Sequence, residues 1–219
     1  MVSVVFDLDG TLIDSAPDLQ HIANQILTAA GCPLLSIEET RSFIGNGASV
    51  FVEKMCVARN IPVQDQAAHL ATFMAAYQSA YEFTEVYAGV TGALHALKER
   101  GYGLAVCTNK PMGPCIAVLQ HLKLYDDFNT IVAGDSLKNR KPHPEPLEFA
   151  IERLGGKPAL YVGDSEVDAE TAERASIPFL LFANGYRKTP IDQLTHAASF
   201  DHFEKLPSLI DMQVAQDQS

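Results

Sequence analysis

The chain has 219 residues, of which 47% are hydrophobic and 20% are charged, as in ordinary folded proteins. It carries no apolar stretch of about 20 residues, so no membrane-spanning helix is expected. Its 27 acidic and 16 basic residues give a net charge of −11, which argues against a general nucleic-acid binder.

Short apolar runs alternate along the chain with stretches at helical spacing. The runs predict strands at 2–6, 104–107, 131–133, 160–162 and 179–182. Helices are predicted between the later strands, at 91–100, 112–122, 144–154 and 166–175. This order predicts an α/β fold, a Rossmann-like doubly wound parallel sheet with helices on its faces.

Residues 15–87 interrupt this alternation because they show no convincing strand. Apolar residues at helical spacing from Leu19 to Ala30 predict a first helix, which ends at Gly31. Ser36 followed by Glu39 is a capping-box pattern that predicts the start of a second helix. Further helices are predicted at 48–59 and 64–82. An insert of this length is too long for a loop. Residues 15–87 are therefore predicted to form a helical cap domain, and 1–14 with 88–219 the core.

Two acids follow the first predicted strand, Asp7 and Asp9. The binding crevice of an open α/β sheet lies at the carboxyl ends of its strands. Residues two apart on an extended chain point the same way, so these acids share a side while Leu8 faces the core. Two carboxylates this close fit a metal site, or a nucleophile paired with an acid/base. The alternative is a polar turn that caps a helix.

Polar residues also follow the later strands. Thr108 and Asn109 precede a helix, where they can hold a phosphate or only cap the helix. Lys141 lies in a proline-stiffened segment and is either a point charge for phosphate or an exposed loop lysine. Asp164 and Asp168 can face one ion if a helix starts between them, or they can complement the helix dipole.

In this order the motifs resemble the four signature motifs of the haloacid dehalogenase superfamily, over nearly the whole chain. The matching residues are Asp7-x-Asp9-Gly10-Thr11, Thr108, Lys141 and Gly163-Asp164-x-x-x-Asp168. The helical insert is similar to that superfamily's C1-type cap. Residues 6–17, 44–48, 108–111 and 141–144 look most like the phosphoglycolate phosphatase subfamily. The segment 187–189, Arg-Lys-Thr, departs from that subfamily's pattern after Gly185 and Tyr186.

The resemblance implies a phosphatase that acts through an aspartyl-phosphate. In it Asp7 is the nucleophile, and Asp9 protonates the leaving alkoxide and then activates water. Asp7, the backbone carbonyl of Asp9, and Asp164 would hold Mg²⁺, with Asp168 in support.

The resemblance also implies roles for other residues. Thr108, Asn109 and Lys141 would bind the transferring phosphoryl group. Gly45, Asn46 and Gly47 are the predicted contact loop of the cap. The expected substrate is a small phosphorylated metabolite, first of all 2-phosphoglycolate.

Other activities remain open at this point. A dehalogenase needs no second acid two residues after the nucleophile, so Asp9 favours phosphoryl transfer. A phosphatase for a sugar phosphate, nucleotide or pyrophosphate, or a hexose-phosphate mutase, would share both acids and the cap. A phosphonatase would need a cap lysine, and Lys54 is the only lysine between 15 and 87. A receiver-like signalling module would share the strand-end acid but would not need the cap.

The sequence also bears on the role of the cysteines, the location of the protein and its partners. The four cysteines form no C-x-x-C pair, which favours buried structural thiols over zinc or redox chemistry. The first residues carry no secretory signal pattern, so a cytoplasmic location is expected. We expect no nucleic-acid or membrane partner, and either a monomer or a homodimer.

Overall fold

Within residues 2–156 and 158–216, which a computed structural model describes, six parallel strands form the central sheet in the order β5-β4-β1-β6-β7-β8. The strands are β1 (Ser3–Phe6), β4 (Gly103–Cys107), β5 (Thr130–Val132), β6 (Ala159–Gly163), β7 (Phe179–Phe182) and β8 (Ala198–Phe200). The strand β1 lies between β4 and β6, so its carboxyl end is at the centre of the sheet edge. The predicted α/β fold is confirmed.

Helices cover both faces of the sheet. They are α5 (Val90–Glu99), α6 (Met112–His121), α7 (Glu145–Arg153), α8 (Glu166–Ala175) and α9 (Leu206–Gln216). Successive side chains of a strand point to opposite faces. Accordingly Val4 and Phe6 pack with α5, α6 and α9, whereas Val5 packs with α7 and α8. All four residues of β1 are buried, which explains why the strand reads as a continuous apolar run.

Four helices between the first strands have a hydrophobic core of their own. They are α1 (Ala16–Ala29), α2 (Ile37–Phe43), α3 (Ala48–Ala58) and α4 (Val63–Tyr77). Leu27, Val52, Met55 and Phe73 are fully buried in this cluster. The cluster matches the predicted helical cap, and the domain boundaries at 15 and 87 stay a prediction.

The structure corrects the prediction at four places. The helix predicted at 64–82 ends at Tyr77. A short antiparallel pair, β2 (Ile13–Asp14) with β3 (Glu85–Val86), places a strand inside the segment where none was expected. The edge strand β8 and the last helix, α9, were not predicted. Two-residue strands are too short to show a period-2 pattern, and β8 lacks the apolar run by which the three-residue β5 was predicted.

No helix among residues 2–156 and 158–216 is both long and apolar enough to cross a membrane.

The capping box at the start of α2 gives a first testable prediction. Ser36 Oγ accepts a hydrogen bond from Glu39 N at 3.1 Å, and Glu39 Oε2 accepts one from Ser36 N at 2.9 Å. Ser36→Ala removes the first bond and is expected to lower the free energy of unfolding by about 1 kcal/mol. Urea denaturation measures it. Thr72→Ala, on the exposed side of α4, is the control and should change stability by less than about 0.5 kcal/mol. Equal effects would contradict the capping role.

Candidate active site

The carboxyl ends of β1, β4 and β6 bring the predicted site residues to one edge of the sheet. Asp7 follows β1, Thr108 follows β4 and Asp164 follows β6. All three side chains are buried. This is the crevice where open α/β sheets bind ligands.

Lys141 lies between two buried acids. Its Nζ is 2.8 Å from Asp7 Oδ1 and 2.7 Å from Asp168 Oδ1. It also donates a hydrogen bond to the Tyr161 hydroxyl at 2.8 Å, and that hydroxyl donates to Asp168 Oδ1 at 2.7 Å. Lys141 is therefore not an exposed loop lysine, because only 3% of its side chain is accessible.

Asp168 also lies in the first turn of helix α8. Its Oδ2 accepts hydrogen bonds from Ser165 N at 3.1 Å and from Ser165 Oγ at 2.6 Å. Asp168 lies at a helix start, as the dipole interpretation requires, and its predicted role in support of a metal site stays a prediction. One carboxylate oxygen faces Lys141, and the other anchors the helix start.

The electrostatics of these groups follow from burial and from their mutual charges. Burial raises the pKa of Asp7 to about 7, with a further increase from Asp168 that the Lys141 charge opposes. Burial and the two neighbouring acids also hold the pKa of Asp164 well above its usual value. Burial likewise acts to raise the pKa of Asp168, but the charge and hydrogen bond of Lys141 outweigh it and the pKa is lowered. With all three acids ionised, the cluster would carry more negative charge than one lysine neutralises, and the raised pKa values of Asp7 and Asp164 reflect this.

This acidic cluster fits a divalent cation. Asp7, Asp164 and Asp168 each offer a carboxylate oxygen, and these atoms all lie within 4.8 Å of one another. Carboxylate oxygens are the ligands that Mg²⁺ prefers, usually one or two of them with water and substrate phosphate. The Asp9 carboxylate lies outside this group, so the predicted Asp9 contribution through its backbone carbonyl stays a prediction.

Asp9 faces a second lysine rather than the acidic cluster. Its Oδ1 is 3.0 Å from Lys110 Nζ and accepts a hydrogen bond from Ser15 Oγ at 2.5 Å. Lys110 Nζ also donates to the Tyr77 hydroxyl of α4 at 2.8 Å. The two acids two residues apart therefore each have their own lysine, Lys141 for Asp7 and Lys110 for Asp9.

Two clefts open onto Asp7 and Asp9. The first, of about 420 Å³, we call the Lys110 cleft, and the second, of about 370 Å³, the Asp164 cleft. The Lys110 cleft is lined by Asp7, Asp9, Leu19, Ile44, Gly45, Gly47, Ala48, Phe51, Phe73, Tyr77, Thr108, Asn109 and Lys110. The Asp164 cleft is lined by Asp7, Asp9, Ile44, Gly45, Asn46, Asp164, Ser165, Glu166, Val167, Tyr186 and Lys188. The predicted contact loop of the cap, Gly45 to Gly47, thus lies over the site.

The side chain of Asn109 forms its hydrogen bonds with backbone groups. Its Nδ2 donates to the backbone oxygens of Gly45 at 2.9 Å and Lys141 at 3.0 Å, and its Oδ1 accepts from Lys141 N at 3.1 Å. The side-chain amide therefore ties the cap loop to the lysine segment. Its predicted contact with phosphate stays a prediction.

Several residues of the site carried no sequence assignment. Ser15 and Lys110 contact Asp9, and Tyr77 contacts Lys110. Tyr161 contacts Lys141. Lys110 directly follows the predicted phosphate-binding pair, which is the one sequence signal that could have identified it. Tyr77 has none, because a tyrosine on an apolar helix face reads as core.

Tyr186 and Gly185 hold Asp164 in place from β7's side of the sheet. Asp164 Oδ2 accepts from Tyr186 N at 2.6 Å, and Oδ1 accepts from Thr11 Oγ1 at 2.7 Å. A Cβ atom at Gly185 would collide with Asp164. Only glycine allows this close approach of backbone to carboxylate.

Gly185→Ala is therefore expected to displace Asp164 and to lower the free energy of unfolding by about 1–3 kcal/mol. Urea denaturation measures the change. The matched control is Gly92→Ala in helix α5, where an added Cβ meets no atom within 4 Å. This control should stabilise the protein by about 0.5–1 kcal/mol, because alanine favours helix. If Gly185→Ala leaves the free energy of unfolding unchanged, the backbone at this position can shift to make room for the added Cβ, and the prediction is wrong.

Residues 4–182 match the sequence profile of the family described as haloacid dehalogenase-like hydrolase. The chain belongs to this family. The family resemblance read from the four motifs is confirmed.

Relatives within the haloacid dehalogenase-like hydrolases cover almost the whole chain. A phosphoglycolate phosphatase of Rhodobacter capsulatus is 42% identical over 213 residues, which is 95% of this chain and 96% of that protein. A phosphoglycolate phosphatase of Rhodospirillum rubrum is 38% identical and matches 93% of this chain and 88% of that protein. The crystal structure of a predicted phosphoglycolate phosphatase from Haemophilus somnus 129PT superimposes with a TM-score of 0.89 at 31% identity. It covers 95% of this chain and 97% of that one.

Proposed function

We propose that this protein is a Mg²⁺-dependent phosphatase that hydrolyses 2-phosphoglycolate to glycolate and phosphate. The observation that carries the proposal is the strand-end pair of a buried Asp7 and a partly buried Asp9, each with its own lysine, beneath a helical cap. The similarity to phosphoglycolate phosphatases at 42% identity supports the choice of substrate. We also propose a cytoplasmic location, which suits a chain with four free cysteines.

In the first step an Asp7 carboxylate oxygen attacks phosphorus, and the bond between phosphorus and the ester oxygen breaks. Asp9 gives its proton to that ester oxygen, which leaves as the glycolate hydroxyl. Asp7 is then an aspartyl-phosphate. Lys141, 2.8 Å from Asp7 Oδ1, neutralises charge on the phosphoryl oxygens. The buried Thr108 lines the Lys110 cleft together with Asp7, where its hydroxyl would bind one of these oxygens.

In the second step Asp9, now ionised, takes a proton from a water molecule. The water oxygen attacks phosphorus, the bond to Asp7 breaks, and phosphate is released with Asp7 restored. Ser15 and Lys110 hold the Asp9 carboxylate for both proton transfers, at 2.5 and 3.0 Å. The cap loop Gly45 to Gly47 lies over the site and would exclude bulk water during the reaction.

The acidic cluster would hold the cation through Asp7 and Asp164, with Asp168 fixed behind them by Lys141. When bound, Mg²⁺ would reduce the repulsion between the Asp7 carboxylate and the phosphate dianion.

Mg²⁺ is expected to raise the unfolding temperature of protein that has been treated with EDTA. At a concentration of 100 times the dissociation constant, the stabilisation is about 2.7 kcal/mol. Calorimetry across a Mg²⁺ titration measures it. Asp164→Asn should remove most of the shift, whereas Asp211→Asn, an exposed acid paired with Arg100 on the surface, should retain it. An unfolding temperature that stays constant through the titration would contradict the metal site.

Phosphate release from a substrate panel, with Mg²⁺ and with EDTA, tests the function. The panel contains 2-phosphoglycolate, sugar phosphates, nucleotides and pyrophosphate. Turnover that needs Mg²⁺ and is fastest with 2-phosphoglycolate would support the proposal. Faster turnover of another ester would support the same mechanism but contradict the choice of 2-phosphoglycolate as the substrate. Isomerisation of a sugar phosphate with little phosphate released would favour a mutase, and a stable phospho-Asp7 would favour a signalling module.

A further inference from the structure

The Lys110 cleft contains a cation that the phosphoryl-transfer steps do not use directly. Among the described residues that line this cleft, Lys110 is the one basic side chain. Only 1% of the side chain is accessible. Its backbone is fixed as well, because Lys110 N donates to Thr108 Oγ1 at 3.2 Å and Gly134 N donates to Lys110 O at 2.8 Å.

The lysine ammonium has donor capacity left over. An ammonium group carries three N–H donors. In the described part of the chain they meet two partner groups: the Asp9 carboxylate, at 3.0 Å to Oδ1 and 3.4 Å to Oδ2, and the Tyr77 hydroxyl at 2.8 Å. One N–H can be shared between the two oxygens of the carboxylate, which leaves a third donor for a ligand in the cleft.

Tyr77 supplies a second donor at the same place. Its hydroxyl oxygen accepts from Lys110, while its own hydrogen has no acceptor among residues 2–156 and 158–216. The side chain is 4% exposed and lines the Lys110 cleft. Buried hydroxyl groups normally find a partner, so the phenol hydrogen and the third ammonium hydrogen together are suited to an acceptor with two oxygens.

The rest of this end of the cleft is apolar. Leu19, Phe51 and Phe73 are almost fully buried and form its wall next to Tyr77. Such a wall offers no hydrogen bonds to the hydroxyl groups of a sugar, so an extended polar substrate would lose its water there without compensation. A short substrate with a single charged end group meets no such cost.

Resting on the proposed function, we propose that Lys110 and Tyr77 bind the carboxylate of the substrate and so select a two-carbon phosphorylated acid. In this arrangement Asp9 lies between the phosphoryl group of the substrate and the pair of Lys110 and Tyr77. It delivers the proton to the ester oxygen, and Lys110 contacts the same carboxylate, at 3.0 Å to Oδ1 and 3.4 Å to Oδ2. In 2-phosphoglycolate one CH₂ group separates the ester oxygen from the carboxylate. A group just beyond Asp9 is therefore within reach of that end of the molecule.

The test compares 2-phosphoglycolate with 2-hydroxyethyl phosphate, which has the same two-carbon chain with a hydroxyl in place of the carboxylate. For wild type, Lys110→Met and Tyr77→Phe, kcat/KM is measured for both esters. Loss of the Asp9 contact in Lys110→Met lowers turnover of both. Loss of the contact to the substrate carboxylate is expected to lower the ratio of kcat/KM for 2-phosphoglycolate to kcat/KM for 2-hydroxyethyl phosphate by a further ~10- to 100-fold. Tyr77→Phe leaves the pair of Lys110 and Asp9 intact and is expected to lower the ratio by roughly 3- to 10-fold.

Tyr102→Phe is the matched control, because the Tyr102 hydroxyl contacts Asp211 on the surface, away from the clefts. Its ratio should equal that of the wild type. A ratio that both cleft variants leave within about 2-fold of wild type would overturn the assignment. If Lys110→Met does not fold, Tyr77→Phe alone decides. Wild-type protein that hydrolyses 2-hydroxyethyl phosphate but not 2-phosphoglycolate would instead overturn the proposed substrate.

Discussion

Asp7→Asn is expected to lower kcat for phosphate release by at least ~10³-fold, because it replaces the nucleophile with a group of the same shape that cannot form the phosphoryl-enzyme. Steady-state kinetics with 2-phosphoglycolate measure the loss. Acid quenching of the wild type during turnover should trap phosphate on Asp7, and the variant should trap none.

The control for this variant is Asp201→Asn. Asp201 follows the edge strand β8, forms an exposed pair with Lys205, 2.5 Å apart, and lines neither the Lys110 cleft nor the Asp164 cleft. Its kcat should match that of the wild type. Turnover by Asp7→Asn at the parent rate would refute the nucleophile assignment, whichever substrate the protein proves to prefer.

Lys141→Met is expected to lower the free energy of unfolding by about 3–5 kcal/mol in the absence of Mg²⁺. The variant removes the cation that separates Asp7 from Asp168 and leaves two buried carboxylates without compensation. Methionine retains most of the side-chain volume, so the loss reports charge rather than a cavity. Urea denaturation of EDTA-treated protein measures the change, and phosphate release should fall as well because the transferring oxygens lose their counter-charge.

Two further variants show whether the destabilisation has this cause. Lys205→Met breaks an exposed pair in which 59% of the lysine side chain is accessible, and its effect should stay below about 1 kcal/mol. Adding Asp168→Asn to Lys141→Met removes one of the two stranded charges and should restore part of the stability. If the double variant is no more stable than Lys141→Met, repulsion between the acids is not the source of the loss.

The central sheet was readable from the sequence because buried parallel strands are continuous apolar runs. The helical insert was readable from its 3.6-residue spacing and from the capping box at Ser36. The short pair β2 and β3 was not readable, since two-residue strands carry no period. The end of α4 at Tyr77 was missed for a related reason, as the polar and aromatic residues that follow continue to fit a helical pattern.

By itself the sequence determined which polar residues stand at the strand ends, because strand position and side-chain alternation are local properties of the chain. Asp7, Asp9, Thr108 and Asp164 follow from it directly. Only the tertiary structure decided which partner each group has. Lys141 faces Asp7 and Asp168, Lys110 joins Asp9 to Tyr77 of the cap, and the Asn109 amide binds backbone instead of standing free. These contacts join residues 27 to 134 positions apart. Local patterns cannot specify such contacts, because the packing of sheet, loops and cap sets the distances between them.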